Sequence, residues 1–240
     1  MEQVNPLWTR VRKSLMNHLQ HMIGACLPFI FQRSMRQGLH AIWQSGAWQT
    51  LPKEGFILAA NHPSWWDMYV CWLIGQKLSR PLSGIMRDDT LKTFPFFRSI
   101  GVIAQGEIRE ALRRLKQGHI LQIFPSGDMQ QGKIKNSHQG VAFLAEKSGL
   151  AVYPLALRVV VRGAQKPEVF MVLGEKLKYQ SHGAEFVTQL EDKINDLLES
   201  LDNTILNTHP EAKPHGFEAW LLPRLRFDER MAKLRKLWQL

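Results

Sequence analysis

The chain has 240 residues, 45% of them hydrophobic, and carries 31 Lys and Arg against 21 Asp and Glu, a formal net charge of +10. That length supports one substantial core, and the apolar share excludes wholesale disorder. Two cysteines, Cys26 and Cys71, rule out a disulfide framework or a Cys-based zinc cluster and read as inert packing residues, while the basic excess points to an anionic partner: nucleic acid, a membrane surface or a phosphorylated small molecule.

In chain order, the first apolar stretch is Met22 to Phe31, interrupted by Pro28. A spanning helix needs about 20 mostly apolar residues, so this one is too short to cross a bilayer. It also lacks the small-residue cleavage site of a signal peptide. Two readings stay open: a two-helix hairpin lying in one leaflet, or a helix packed on the domain's own core. From about residue 55 short apolar runs alternate with helical patterns, the rhythm of an α/β domain. Strands are expected at 55–60, 100–104, 119–124, 151–157 and 168–173. Helices are expected at 63–75, with Pro63 in its first turn, at 107–117 before Gly118, and at 141–148 before Gly149. Over 184–201 the apolar residues Phe186, Val187, Leu190, Ile194, Leu197, Leu198 and Leu201 recur at helical spacing. Pro210 and Pro214 mark 203–216 as a linker.

The charge is uneven. Residues 1–50 hold five Lys/Arg and one acid, and residues 211–240 hold seven against four, so the ends supply seven of the ten excess charges. Five of the eight tryptophans, Trp8, Trp43, Trp48, Trp220 and Trp238, also lie toward the ends. Basic residues mixed with Trp, Leu and Phe read as a membrane-interface signature. Nucleic acid is disfavoured, because no aromatic and Arg pattern of a base-stacking sheet is present.

The stretch richest in chemistry is Ala59-Ala-Asn-His-Pro-Ser-Trp-Trp-Asp67. His62 stands at the C-terminal end of an expected buried strand, where open α/β sheets carry their sites. Its ordinary pKa suits a general base. Asp67, one turn into the next helix, can fold back to fix the ring's tautomer. Asn61 can hold the loop, and free N–H groups at the helix opening can steady an oxyanion. The bland alternative is that His62 caps the strand–helix junction and Asp67 is a solvated helix residue.

Asn61-His62, followed after four residues by Asp67, resembles the first motif of the glycerolipid acyltransferases, the 1-acylglycerol-3-phosphate acyltransferase family. Ordered companions strengthen the likeness. Phe124-Pro-Ser-Gly-Asp128 stands where that family has Phe-Pro-Glu-Gly-Thr-Arg. His138-Gln-Gly140 resembles its Phe-Lys-x-Gly segment, and Val152-Tyr-Pro154 its last motif. The resemblance covers roughly residues 50–175. It implies a central mixed β-sheet flanked by helices, an N-terminal amphipathic helix pair (1–48), the α/β acyltransferase domain (49–205), and a basic amphipathic extension (206–240). It further implies a peripheral enzyme on the cytoplasmic membrane face, moving a fatty acyl group from acyl-coenzyme A or acyl-carrier protein to a lipid hydroxyl, with no metal and no cofactor. His62 and Asp67 would be catalytic. Asn61, Ser64, Phe124, Pro125, Ser126, Gly127 and Asp128 would bind substrate.

The departures are specific. Ser126 replaces the family's glutamate, Met129 its arginine, and Gln105 the cation that ends the second motif. A phosphate site without its bidentate cations is weak. Arg87, Lys133, Lys135 and Arg158 are the nearby candidates to replace them, and His138 is a candidate to line the site. The acceptor is therefore expected to be a lysophospholipid, or else a glycolipid or another lipid without that phosphate. A catalytically silent lipid-binding relative is the remaining alternative.

Overall fold

The structure, a computed structural model, describes residues 6–180, 182–223, 225 and 227–238. The side chains at 6–14, 16, 17, 21 and 236–238 lie outside that description. Eight strands form one mixed sheet in the order β4-β3-β5-β2-β6-β7-β1-β8. They are β1 (Ala41–Gly46), β2 (Phe56–Ala60), β3 (Leu82–Met86), β4 (Ile103–Ala104), β5 (Ile120–Ile123), β6 (Val152–Val160), β7 (Glu168–Leu173) and β8 (Glu218–Leu221). The five strands from β4 to β6 run parallel; β7 is antiparallel to β6, β1 parallel to β7, and β8 antiparallel to β1.

Side-chain alternation along β2 divides the core in two. Phe56, Leu58 and Ala60 face one layer, with Val70 and Ile74 of α2 (Trp66–Lys77) and Met35 of α1 (Pro6–Gly38). Ile57 and Ala59 face the other, with α4 (Ile108–Lys116), α5 (Gly140–Ser148) and α6 (Gly183–Asn207). A short helix, α3 (Asp88–Thr93), and a 3₁₀ turn, Pro95–Ile100, link β3 to β4. The chain closes on α7 (Phe227–Trp238).

Several expectations are corrected. The N-terminal segment is one continuous helix of 33 residues with Pro28 inside it, not a helix pair. The segment has no turn-forming cluster to separate two helices, and Gly24 serves packing instead: a Cβ there would collide with the Ser99 side chain. Leu27, Phe31 and Met35 are the buried stripe of this helix, with buried Leu39 just past its end, and the Phe31 ring packs 4.4 Å from that of Tyr69 on α2. Leu15, Leu19, Met22, Phe29 and Ile30 are exposed. Cys26 is exposed too, so only Cys71 is a buried cysteine. Boundaries at 48/49 and 205/206 cut through the molecule, because β1 and β8 belong to the sheet and α6 runs on to Asn207.

Trp43, Trp48 and Trp220 are structural. Trp43 donates to Glu168 Oε1 at 3.1 Å, and Trp48 donates to the Ser45 carbonyl and packs 4.7 Å from Trp220. The side chains of Trp8 and Trp238 lie outside the described residues. Among the described residues no helix is long and apolar enough to cross a membrane.

Candidate active site

The parallel strands β2, β3, β4 and β5 deliver their C-terminal ends to one rim. After β2 come Asn61 and His62; after β5 comes the turn from Phe124; after β3 comes Arg87; after β4 comes Gln105. His62, Arg87, Gln105 and Phe124 line one cavity of about 730 Å³ that runs inward past Met68, Cys71, Trp72 and Gly84.

His62 Nδ1 lies 2.7 Å from Asp67 Oδ2. The same carboxylate oxygen accepts the Ser64 backbone N–H at 2.8 Å. Phe124 stacks on the imidazole face, with ring centroids 4.2 Å apart and planes 15° from parallel. The ring is thus held at one edge and one face, leaving Nε2 as the nitrogen available for a proton. Asp67 is fully buried, and its Oδ1 has no hydrogen-bond partner among the described residues. Burial raises its pKa above the ordinary carboxylate value, against the lowering effect of the His62 and Ser64 hydrogen bonds. Cys71, one turn further along α2, has its thiol pushed well above its ordinary value by burial and by the Asp67 charge. It is an apolar wall rather than a nucleophile.

The other expected site residues divide. Phe124, Pro125, Gly127 and Asp128 line the cavity, as do His138 and Met129. Gly127 sits at a positive φ of 75°, and a Cβ there would meet His138 Nε2 at 3.0 Å. Asn61, Ser64 and Ser126 bind protein rather than facing the cavity. The Asn61 amide donates to the Leu157 carbonyl at 3.0 Å and accepts the Leu157 N–H at 2.7 Å, tying β2 to β6. Ser64 Oγ accepts the Trp66 N–H at 3.2 Å and its carbonyl accepts the Asp67 N–H. Those two amides at the α2 opening are therefore engaged, which takes them from the expected oxyanion donors. Ser126 Oγ donates to the Asp128 carbonyl at 3.0 Å and shapes its own turn.

Of the four candidate cations, only Arg87 reaches the cavity. It is tied to Asp89 at 2.8 Å and lies 3.6 Å from Asp128. Lys133 pairs with Glu199 and Arg158 with Asp202. Lys135 is exposed outside the cavity lining. Among the described residues no group of three or more His, Cys, Asp or Glu converges as a metal site requires.

The loop that follows β5 is anchored on both sides. The Gln130 N–H donates to the His62 carbonyl at 2.9 Å, and Gln131 Nε2 donates to that of Pro63 at 3.0 Å. On the outer side Asn195 of α6 accepts the Ile134 N–H at 2.8 Å and donates to its carbonyl at 3.2 Å, while Glu191 accepts the Ser137 N–H at 2.6 Å. Asn195→Ala removes both bonds to Ile134 and should cost about 1–3 kcal/mol of stability. A urea titration followed by tryptophan fluorescence measures this.

Residues 44–158 match the family model described as Acyltransferase. Over that segment the chain is similar to the Acyltransferase family. The matched stretch holds His62, Asp67, the Phe124 turn and His138, so it contains the whole rim just described. A solved structure with a similar fold is the 1-acyl-sn-glycerophosphate (LPA) acyltransferase PlsC from Thermotoga maritima: TM-score 0.58 at 19% identity, covering 80% of this chain and 83% of that one. A sequence comparison with curated proteins finds no significant match.

Sequence reasoning missed β3 and α3, and with them Gly84. It also passed over Gln122, which lines the cavity from within β5. The signal that was present was the polar Gln122 in an otherwise apolar strand.

Proposed function

We propose that this acyltransferase moves a fatty acyl group from a thioester, of coenzyme A or acyl-carrier protein, to a hydroxyl of a membrane lipid, needing no cofactor beyond that donor. The observation that carries the reading is the His62–Asp67 pair at the mouth of a largely apolar cavity. Asp67 holds the proton of His62 on Nδ1, so Nε2 takes the proton of the acceptor hydroxyl. The oxygen then attacks the thioester carbonyl carbon. A C–O bond forms, the C–S bond breaks, and the departing thiolate receives the proton from the imidazolium. No acyl-enzyme is required.

The acceptor favoured by the rim is a hydroxylated lipid without a phosphate monoester, such as a glycolipid. Gln105 and Met129 carry no charge, and the guanidinium of Arg87 already meets Asp89 and Asp128. A dianionic headgroup would face Asp128 with little compensating charge. Labelled acyl-coenzyme A incubated with a total lipid extract tests both levels. A labelled neutral or sugar lipid supports the reading, labelled phosphatidate corrects the acceptor to lysophosphatidate, and thiol release absent under all conditions indicates a silent lipid-binding relative.

Membrane attachment follows from α1. Its exposed Leu19, Met22, Phe29 and Ile30 form an apolar face, with exposed Arg33 and Arg36 near the helix end. This is a peripheral mode of binding, proposed for the cytoplasmic leaflet, with the basic C-terminal extension as a second contact. Leu19→Glu with Phe29→Glu should lower co-sedimentation with anionic vesicles about tenfold or more, since each change replaces buried apolar area by charge. The melting temperature should be unchanged, both side chains being exposed.

A further inference from the structure

Among the described residues that line the cavity, Gln122 carries the buried polar atom without a protein partner. Gln122 on β5 is 1% exposed and lines the same cavity as His62. Its Nε2 donates to the Ile123 carbonyl at 3.2 Å, which sets the amide's orientation, since the reverse would bring two oxygens together. Its Oε1 has no hydrogen-bond partner among the described residues. A buried acceptor left unpaired is costly, and such groups mark places where a ligand atom belongs.

The surroundings say which ligand atom. Phe124 directly follows β5 and Gln122 lies two residues before it, so the Gln122 backbone stands about 7 Å further from the rim than that of the residue whose ring stacks on His62. Its neighbour in register on β3 is Gly84, where a Cβ would meet nothing nearer than Val102 Cγ2 at 3.8 Å. No side chain fills the Gly84 side of the strand pair, and Cys71, Trp72, Leu82 and Ile100 line the same cavity. On the acyl-transfer reading the lipid acceptor meets His62 at the rim, where Trp65, Arg87 and Asp128 line the cavity. The inner end is left to the chain of the acyl donor.

We infer that the acyl donor carries a hydroxyl on its chain, and that Gln122 Oε1 accepts its hydrogen bond. Gln122 is then a specificity residue: a neutral acceptor that selects a hydroxyacyl thioester over the unsubstituted chain of the same length. A site built to bond a substrate hydroxyl discriminates against the analogue lacking it, because the buried group is otherwise left unpaired. The inference rests on the acyl-transfer reading.

The test is competition. Wild-type protein receives, with a total lipid extract, equal amounts of an unsubstituted acyl-coenzyme A and one of a series of equal length bearing a single hydroxyl at successive carbons from carbon 3 onward. Product ratios give relative kcat/KM. At least one hydroxyl position is expected to be preferred about tenfold. In Gln122→Leu that preference should vanish while transfer of the unsubstituted chain rises. Its melting temperature should hold or increase, as an unpaired buried polar group has been removed. Equal use of all chains by the wild type, or a preference that survives in Gln122→Leu, overturns the inference while leaving acyl transfer intact. No transfer of any chain overturns the underlying reading and this one with it.

Discussion

His62→Ala is expected to lower acyl transfer by about 10²–10⁴-fold, the usual contribution of a positioned general base. The loss should fall on kcat, since the imidazole acts on the hydroxyl proton and the apolar cavity that holds the chain is untouched. The ring is not a core element, with a side chain 23% exposed, and its main packing partner is the Phe124 face. The variant should therefore fold and bind vesicles as the wild type does. Full activity in His62→Ala, measured as thiol release with the identified acceptor, would exclude the proton-transfer role.

Asp67→Asn is expected to separate stability from activity. Activity should drop by about 10²–10⁴-fold, because an amide neither stabilises the imidazolium nor fixes the proton on Nδ1. Stability should move the other way at neutral pH. Burial holds the Asp67 pKa above its ordinary value, so the folded protein binds that proton more tightly than the unfolded chain does. Above the raised pKa the ionised carboxylate costs stability in full, and the asparagine variant should melt higher. As pH falls through the raised value and then the ordinary carboxylate range, the wild type regains that stability and the difference closes. Melting curves from neutral to acidic pH measure this, and a variant less stable at pH 7 would count against a strained catalytic carboxylate.

What was legible in the sequence was what is local. The β2–loop–α2 segment carries its pattern within a dozen residues, so the strand, the helix and the His62–Asp67 pairing could all be read from spacing. The same local view misjudged side chains whose partners are distant. Asn61 reads both as a loop anchor and as a substrate contact, and its bonds go to Leu157, 96 residues away. Trp43 looked interfacial, yet its partner Glu168 is 125 residues on. Indole chemistry is alike in a lipid headgroup layer and in a half-polar core, so composition alone does not separate them. Strand β3 was missed because Leu-Ser-Gly-Ile-Met has neither alternation nor an unbroken apolar run. With it went the view that Gly84 stands beside Gln122.

The edge of the sheet has a consequence for the chain's two ends. Strands β1 and β8 are antiparallel neighbours, with Ile42 near the start of one opposite Leu221 at the end of the other. The helix that enters β1 and the helix that leaves β8 therefore depart from the same corner, although some 180 residues of chain lie between. The two ends of the chain, each with a basic excess in its sequence, are thus joined to the domain at one edge of the sheet.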